Sequence, residues 1–342
     1  MANTKLFKHP DTLLYSGGAT LYAVIAYLTG WLGLFHSSAW VNAAATLMLA
    51  HGMIIASYLL HDCAHNAVFR TNKNNARLGT FLCWLNGASY GTYEDVRYKH
   101  FRHHVDNDDV VWFDYDTFFN RHPLLTKVVH GLEWLYIPAH DLIMHTIMVF
   151  TSYVIPQRRD QRLRNTLVIL VRGAVFSLIA LLSIKAALLY MLAYLIMMTV
   201  LRFMDSVQHD YGYRTVLFEG EPSEHKGDSE WEREHTFSNI ISWRWEWPNW
   251  LVLNFGYHNA HHAKPTTPWF RLPKLHRELF GDDPDKVARL WPQLRTFHRS
   301  RVARVIDYKN QVPDAKGRYY LQNLQQGESI MGGNAASFLT SF

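Results

Sequence analysis

Apolar residues gather in two long blocks, from Leu13 to Leu60 and from Thr166 to Leu201. Polar residues interrupt the first block at 36–38 and the second at 183–185. Each half-block is close to the ~20 residues that cross the hydrocarbon core of a bilayer. Runs such as LLYMLAYLIMMTVL also leave no polar face for water. The pattern therefore predicts four transmembrane helices, at about 12–35, 39–60, 166–183 and 186–204. The alternative is a soluble protein with two buried helical hairpins.

The predicted fold class is all-α integral membrane, with the four helices arranged as two hairpins that carry a cytoplasmic helical cap. The cap consists of the stretches 61–165 and 205–310, which follow the two hairpins. We expect residues 1–310 to form one membrane domain. The segment 311–342 is rich in Gly, Ser and Gln, so we expect a loosely ordered tail there.

The distribution of basic residues predicts the orientation in the membrane. The loop at 36–38 has no Lys or Arg, and the loop at 184–185 has only Lys185. The opposite helix ends carry Lys5, Lys8, Arg70, Lys73, Arg77, Arg158, Arg159, Arg162 and Arg164. By the positive-inside rule, both termini and the cap face the cytoplasm. The net charge of +5 then indicates attraction to an anionic membrane surface and not to nucleic acid.

Eight of the twenty histidines fall into three short clusters. These are HDCAH with His61 and His65, HFRHH with His100, His103 and His104, and HNAHH with His258, His261 and His262. On a helix, residues three and four apart share one face, so each cluster can aim its imidazoles at one point. An HxxHH motif is expected by chance roughly 0.07 times in such a chain, so two of them indicate a histidine-bound metal centre.

In type, order and position these clusters resemble the histidine boxes of the membrane-bound fatty-acid desaturase superfamily, over about residues 40–290. The resemblance implies two iron ions held almost wholly by histidine, with O2 as co-substrate. It also implies a ninth histidine ligand after the fourth span, His209, and a polar residue near the metal four positions earlier, Asp205. Asp205 is a candidate ligand or neighbour of the metal, and the alternatives for it are a helix N-cap or a salt bridge to Arg202.

Acidic residues near the boxes are candidates to orient the histidine rings: Asp62, Glu94, Asp95, Asp106, Asp108 and Asp109. No HPGG haem-binding motif occurs, so the resemblance implies a separate electron donor of the ferredoxin, rubredoxin or cytochrome b5 type. The compact chain without a fused donor domain favours a bacterial inner membrane over the endoplasmic reticulum.

The predicted function is O2-dependent oxidation of a fatty acyl chain, with desaturation first among the outcomes. The same site could instead decarboxylate a free fatty acid to a terminal alkene, or catalyse hydroxylation or carotenoid oxygenation. For a free acid, Arg97, Lys99 or Arg102 are candidates to bind the carboxylate. A non-enzymatic membrane metal protein is a remote alternative, because its ligands should lie inside the spans and these lie beyond them.

Overall fold

In the computed structural model the chain is described at residues 6–212, 214–218, 221, 223–281, 287–306 and 317–330, and this part is mostly helical. The α-helices are α1 (Leu13–Leu34), α2 (Ala39–Ala64), α3 (Asn72–Asn86), α4 (Tyr93–Asp106), α5 (Tyr115–Arg121), α6 (Pro123–Trp134), α7 (Ala139–Val154), α8 (Pro156–Leu182), α9 (Ile184–Asp205), α10 (Ser229–Glu234), α11 (His258–Ala263), α12 (Leu272–Phe280), α13 (Leu290–Ser300) and α14 (Arg318–Gln326). The strands are β1 (Asp109–Val111), β2 (Arg214–Val216), β3 (Ser238–Asn239) and β4 (Val287–Ala288). They form two parallel pairs, β1 with β2 and β3 with β4.

Four helices among the described residues are long and apolar enough to cross a membrane: α1, α2, α8 and α9. The shortest of them have 22 residues, which at about 1.5 Å per residue exceeds the hydrocarbon thickness of about 30 Å. Large apolar side chains lie on their outer surfaces, since Leu32 is 76% and Leu181 is 85% exposed. The prediction of four helices that are long and apolar enough to cross a membrane is confirmed. Helix α8 begins at Pro156 instead of residue 166 because the basic segment before the apolar run is also helical.

The chain divides into two compact units. The first contains Met1–Val96 and His145–Val200, and the second contains Arg97–Met144 and Leu201–Ser341. The single domain that the sequence predicts for 1–310 stays a prediction.

In the first unit, α1 and α2 pack backbone against backbone through small residues. A Cβ on Gly30 would lie only 2.8 Å from Cβ of Leu49, and one on Gly52 only 3.1 Å from the carbonyl oxygen of Ala23. Glycine at these positions therefore permits the close helix approach that small residues commonly provide between membrane helices.

The two short loops between the spans contact each other within this unit. Lys185 donates from Nζ to the carbonyl oxygen of His36, at 2.5 Å, and to Oδ1 of Asn42, at 2.9 Å. Asn42 in turn donates from Nδ2 to the carbonyl oxygens of Gly33, Leu34 and His36. The loop that joins α1 to α2 and the loop that joins α8 to α9 thus lie at the same end of the unit.

Helix α14 lies within the segment that we expected to be loosely ordered. Its Tyr320 and Leu324 are buried and pack in a cluster with Val207 and Phe237 of the second unit. Residues 317–330 of the expected tail are therefore ordered against the core, while 311–316 and 331–342 lie outside the described residues.

Candidate metal centre

Each histidine box lies on a helix whose end is fixed by local interactions. The first box ends α2, where Asn66 adopts a left-handed conformation with φ 53° directly after His65. The second box lies on α4, whose start is fixed by a reciprocal cap. There, Oγ1 of Thr92 accepts from the backbone N–H of Asp95, and Oδ2 of Asp95 accepts from that of Thr92.

The third box begins the short helix α11, directly after a close passage of the chain along β3. A Cβ on Gly256 would lie 2.4 Å from the carbonyl oxygen of Asn239. The backbone N–H of Asn239 donates to the carbonyl oxygen of Gly256 at 2.8 Å. Glycine is therefore required there to bring the box against the strand.

Four buried histidines of the second unit form what we call the four-histidine cluster: His103, His209, His258 and His262. Each offers one ring nitrogen, and these nitrogens all lie within 4.8 Å of one another. Nε2 of His209 lies 2.7 Å from Nε2 of His258 and 3.2 Å from Nε2 of His103. Imidazole lone pairs that face one another so closely repel unless a proton or a cation lies between them, so the cluster fits a metal ion.

Three further box histidines converge beside each other in the same unit. Nε2 of His104 lies 3.2 Å from Nε2 of His100 and 3.2 Å from Nε2 of His261. The structure therefore brings together the second box, the third box and His209 as the sequence predicts. In the first unit, the rings of His61 and His65 are buried with their centroids 4.9 Å apart.

Burial keeps three rings of the four-histidine cluster neutral. Burial, together with the neighbouring His104, lowers the pKa of His103 to about 3. Burial and the surrounding histidines also lower the pKa of His209 and of His258 well below the usual value. Neutral imidazoles present lone pairs, which is the form that binds a metal.

Two hydrogen bonds from outside the boxes fix ring orientations. Nδ1 of His103 donates to the carbonyl oxygen of Asp108 at 2.7 Å, which leaves Nε2 to the cluster. The Asp108 carboxylate accepts from the hydroxyl of Thr215 on β2. Nδ1 of His262 lies 2.7 Å from Oε1 of Glu232 on α10.

Glu232 is the residue of this site that the sequence did not reveal. Its Oε1 lies 3.8 Å from Nδ1 of His104 as well as close to His262, and the three side chains form a further potential ligand group. Glu232 also lines a cavity of about 530 Å³, together with Glu230 and Thr236. It precedes the third box by more than twenty residues and has no motif of its own, so only the folded chain identifies it.

The remaining acidic candidates have other contacts. Asp205 is the last residue of α9 and therefore not an N-cap, while Arg202 pairs with Glu133 and Asp141. The ligand groups found among the described residues do not include Asp205. Asp95 pairs with Arg158, and Asp106 pairs with Arg102.

The cationic candidates for a substrate carboxylate are also engaged. Arg102 binds Asp106 and the carbonyl oxygen of Leu217, and Arg97 lies over the ring of Phe101. Lys99 is fully buried, and burial lowers its pKa to about 7 despite the opposing charges of Asp205 and Asp109.

Comparison with known families agrees with this geometry. A family model described as Fatty acid desaturase matches residues 38–294, which include all three boxes, His209 and Glu232. A search of curated proteins found no match. Because the family model covers about three quarters of the sequence, the chain belongs to the fatty acid desaturase family.

Proposed function

We propose that this protein is a membrane-bound di-iron oxidase that desaturates a fatty acyl chain in an O2-dependent reaction. The observation that carries the proposal is the four-histidine cluster, a buried set of converging imidazoles in a chain of the desaturase family. All-imidazole donor sets suit divalent iron among other transition metals, and the buried position excludes bulk water.

The proposed iron ligands are nine histidines. The four-histidine cluster and the neighbouring His100, His104 and His261 supply seven of them. We assign His61 and His65 to the same centre, on the strength of the box spacing and the family membership. Asp205 is proposed as a neighbour of the centre on the same grounds.

Bound iron would supply the activation of O2 and the redox capacity for breaking an unactivated C–H bond. The overall reaction takes two hydrogens from adjacent carbons, and one O2 becomes two waters with two further electrons and two protons. We assign those electrons to a separate donor of the ferredoxin, rubredoxin or cytochrome b5 type, as the histidine-box resemblance implies.

The protein residues have positioning roles in this proposal. The Asp108 carbonyl and the Glu232 carboxylate hold His103 and His262 in one tautomer. The Tyr211 ring lies 4.4 Å from the ring of His209, centroid to centroid, and limits its rotation. A centre held in this way keeps its geometry while the acyl chain is presented in a fixed register.

We further propose that both termini and the histidine boxes face the cytoplasm, in a bacterial inner membrane. The contact of Lys185 with His36 and Asn42 supports this orientation, because it places both poorly charged loops at one end of the first unit.

The test is product analysis in membranes supplied with iron and a reductase–ferredoxin pair. Labelled dodecanoic to octadecanoic acids are supplied under O2, and both extracts and headspace are followed by gas chromatography–mass spectrometry. An unsaturated acid of unchanged length supports desaturation. An alkene one carbon shorter, with CO2, assigns the site to decarboxylation instead. His258→Ala should abolish either product, and the exposed His122→Gln should not.

A further inference from the structure

Arg172 is a charged residue inside a membrane-spanning helix. The apolar part of α8, residues 166–182, contains no other Asp, Glu, Lys or Arg. A charge in the hydrocarbon region is costly, so such residues usually have a specific partner or function.

The contacts of Arg172 are with uncharged groups. Nη1 donates to Oγ of Ser89 at 2.9 Å and to the carbonyl oxygen of Trp84 at 3.3 Å. The guanidinium also faces the rings of Trp84 and Tyr90, 5.9 and 5.7 Å from their centroids. Further tyrosines lie near the guanidinium: Tyr27, Tyr190 and Tyr194. Within the described ranges of the chain, no carboxylate forms an ion pair with Arg172.

Two fully buried arginines of this protein differ from the half-buried Arg172 in having carboxylate partners. Arg158 lies 3.0 Å from a carboxylate oxygen of Asp95, and Arg202 pairs with Glu133 and Asp141. Arg301, which is also buried but lies outside the apolar spans, donates instead to backbone carbonyl oxygens. Arg172 lies inside a span without a carboxylate partner, so we consider the anion of a ligand as its counterion.

The guanidinium N–H groups of Arg172 and a nearby tyrosine hydroxyl are hydrogen-bond donors of the kind that bind a carboxylate. Its hydrogen bonds to Ser89 and Trp84 both come from Nη1, and the Tyr190 hydroxyl also interacts with the guanidinium. The Nε and Nη2 nitrogens of an arginine can bind a carboxylate through two parallel hydrogen bonds. The Tyr194 hydroxyl, 3.0 Å from Nε2 of His145, adds a neutral donor. Gly87, with φ 91°, lets the backbone pass close to the Tyr194 hydroxyl, because a Cβ at this position would lie 2.5 Å from Tyr194 Oη.

The residues that contact Arg172 are linked to the first histidine box within the same unit. Asn86, which lies between Trp84 and Ser89 in sequence, donates from Nδ2 to Oγ of Ser57 at 3.1 Å. Ser57 precedes His61 by one turn of α2. An acyl chain anchored at Arg172 would therefore present carbons counted from its carboxyl end.

We propose that Arg172, together with Ser89 and the surrounding tyrosines, binds the carboxylate of a free fatty acid. The proposal rests on the proposed function, because it names the carrier form of that substrate. It excludes a CoA or carrier-protein thioester, which has no carboxylate at that carbon.

The first experiment measures binding without turnover. Purified protein in detergent is titrated with dodecanoic acid or its methyl ester, in competition with a fluorescent fatty acid. We expect the acid to bind about 10- to 100-fold more tightly than the ester. Arg172→Gln should remove this preference, Arg172→Lys should keep part of it, and the exposed control Arg159→Gln should leave it unchanged. Equal binding of acid and ester by the unmodified protein overturns the proposal.

Thermal unfolding without ligand separates binding from a structural role. Because Arg172 lacks a counterion, Arg172→Gln should unfold at the same or a higher temperature than the unmodified protein. A lower unfolding temperature for both Arg172→Gln and Arg172→Lys assigns the residue to structure and overturns the proposal. Protection by phosphatidylglycerol but not by dodecanoic acid also overturns it, in favour of a bilayer lipid.

Failure of the proposed function gives a different result. If Arg172-dependent acid binding holds but no acid is oxidised, the carboxylate site stands and the reaction assignment fails. If acids of several lengths are oxidised at the same carbon counted from the carboxyl end, both proposals are supported.

Discussion

Glu232 provides the sharpest test of how the metal centre is held. Its Oε1 lies 2.7 Å from Nδ1 of His262, and the side chain is 19% exposed at the edge of the cavity on α10. We expect it to orient His262 by accepting from Nδ1–H, so that Nε2 is left to the metal. Loss of such a partner typically costs about 10- to 100-fold in metal affinity, which is about 1.4 to 2.7 kcal/mol.

Two substitutions separate orientation from direct ligation. Glu232→Ala removes the hydrogen bond and should lower iron affinity by the full factor. Glu232→Gln keeps an amide oxygen that accepts from Nδ1–H, so it should lose only about three- to tenfold, since the charge-assisted bond becomes neutral. A carboxylate that was itself a ligand would instead make the two substitutions equally damaging.

The assay is iron retained against a graded chelator, with Mössbauer spectra to show whether one iron site or both change. Glu230→Gln is the matched control, because Glu230 lies on the same helix and lines the same cavity but is exposed and distant from the ring hydrogen bonds. If Glu232→Ala retains iron as well as Glu230→Gln does, the orienting role is refuted.

Three further predictions concern packing, charge and topology. Gly30→Ala should destabilise the protein by about 1–3 kcal/mol because its Cβ would meet Leu49, whereas Gly18→Ala has nothing within 4 Å and should be harmless in thermal unfolding. Arg202→Met should cost about 3–5 kcal/mol, because it leaves the buried Glu133 and Asp141 without their cation; equal unfolding temperatures for Arg202→Met and Arg159→Gln would contradict this. Ser37→Cys should react with an impermeant maleimide from outside the cell and Lys73→Cys should not, because the proposed orientation places the loop at 36–38 outside and Lys73 in the cytoplasm. The native Cys63 and Cys83 are buried and should give little background labelling. The reverse labelling would invert the proposed orientation.

The histidine clusters could be predicted from the sequence because helical spacing makes each box a local property. His100, His103 and His104 need only one helix to share a face, and α4 provides it. The four spans could be predicted for a similar reason, since length and apolar composition decide them without knowledge of any partner.

The partners of the site could not be predicted, because they come from distant parts of the chain. Glu232 meets His262 across 30 residues, and Arg172 meets Ser89 across 83. The pair of Arg102 with Asp106 is different, because the two residues lie four positions apart on one helix and their contact is local. The helix in the tail had a local signal, with Tyr320 and Leu324 four residues apart between Gly317 and Gly327, but its polar composition outweighed that signal.

Carboxylates lie close to the histidine rings of the second unit and affect the charge of the candidate metal centre. In the proposed centre, nine histidine ligands would supply no negative charge to offset two buried iron ions, and a buried charge without a counterion is unfavourable. Carboxylates stand just outside the rings of the second unit: Glu232 beside His262 and His104, and Asp109 with Oδ1 4.0 Å from Nδ1 of His103. On the proposed function, these carboxylates would offset the charge of the bound metals through the histidines that they contact.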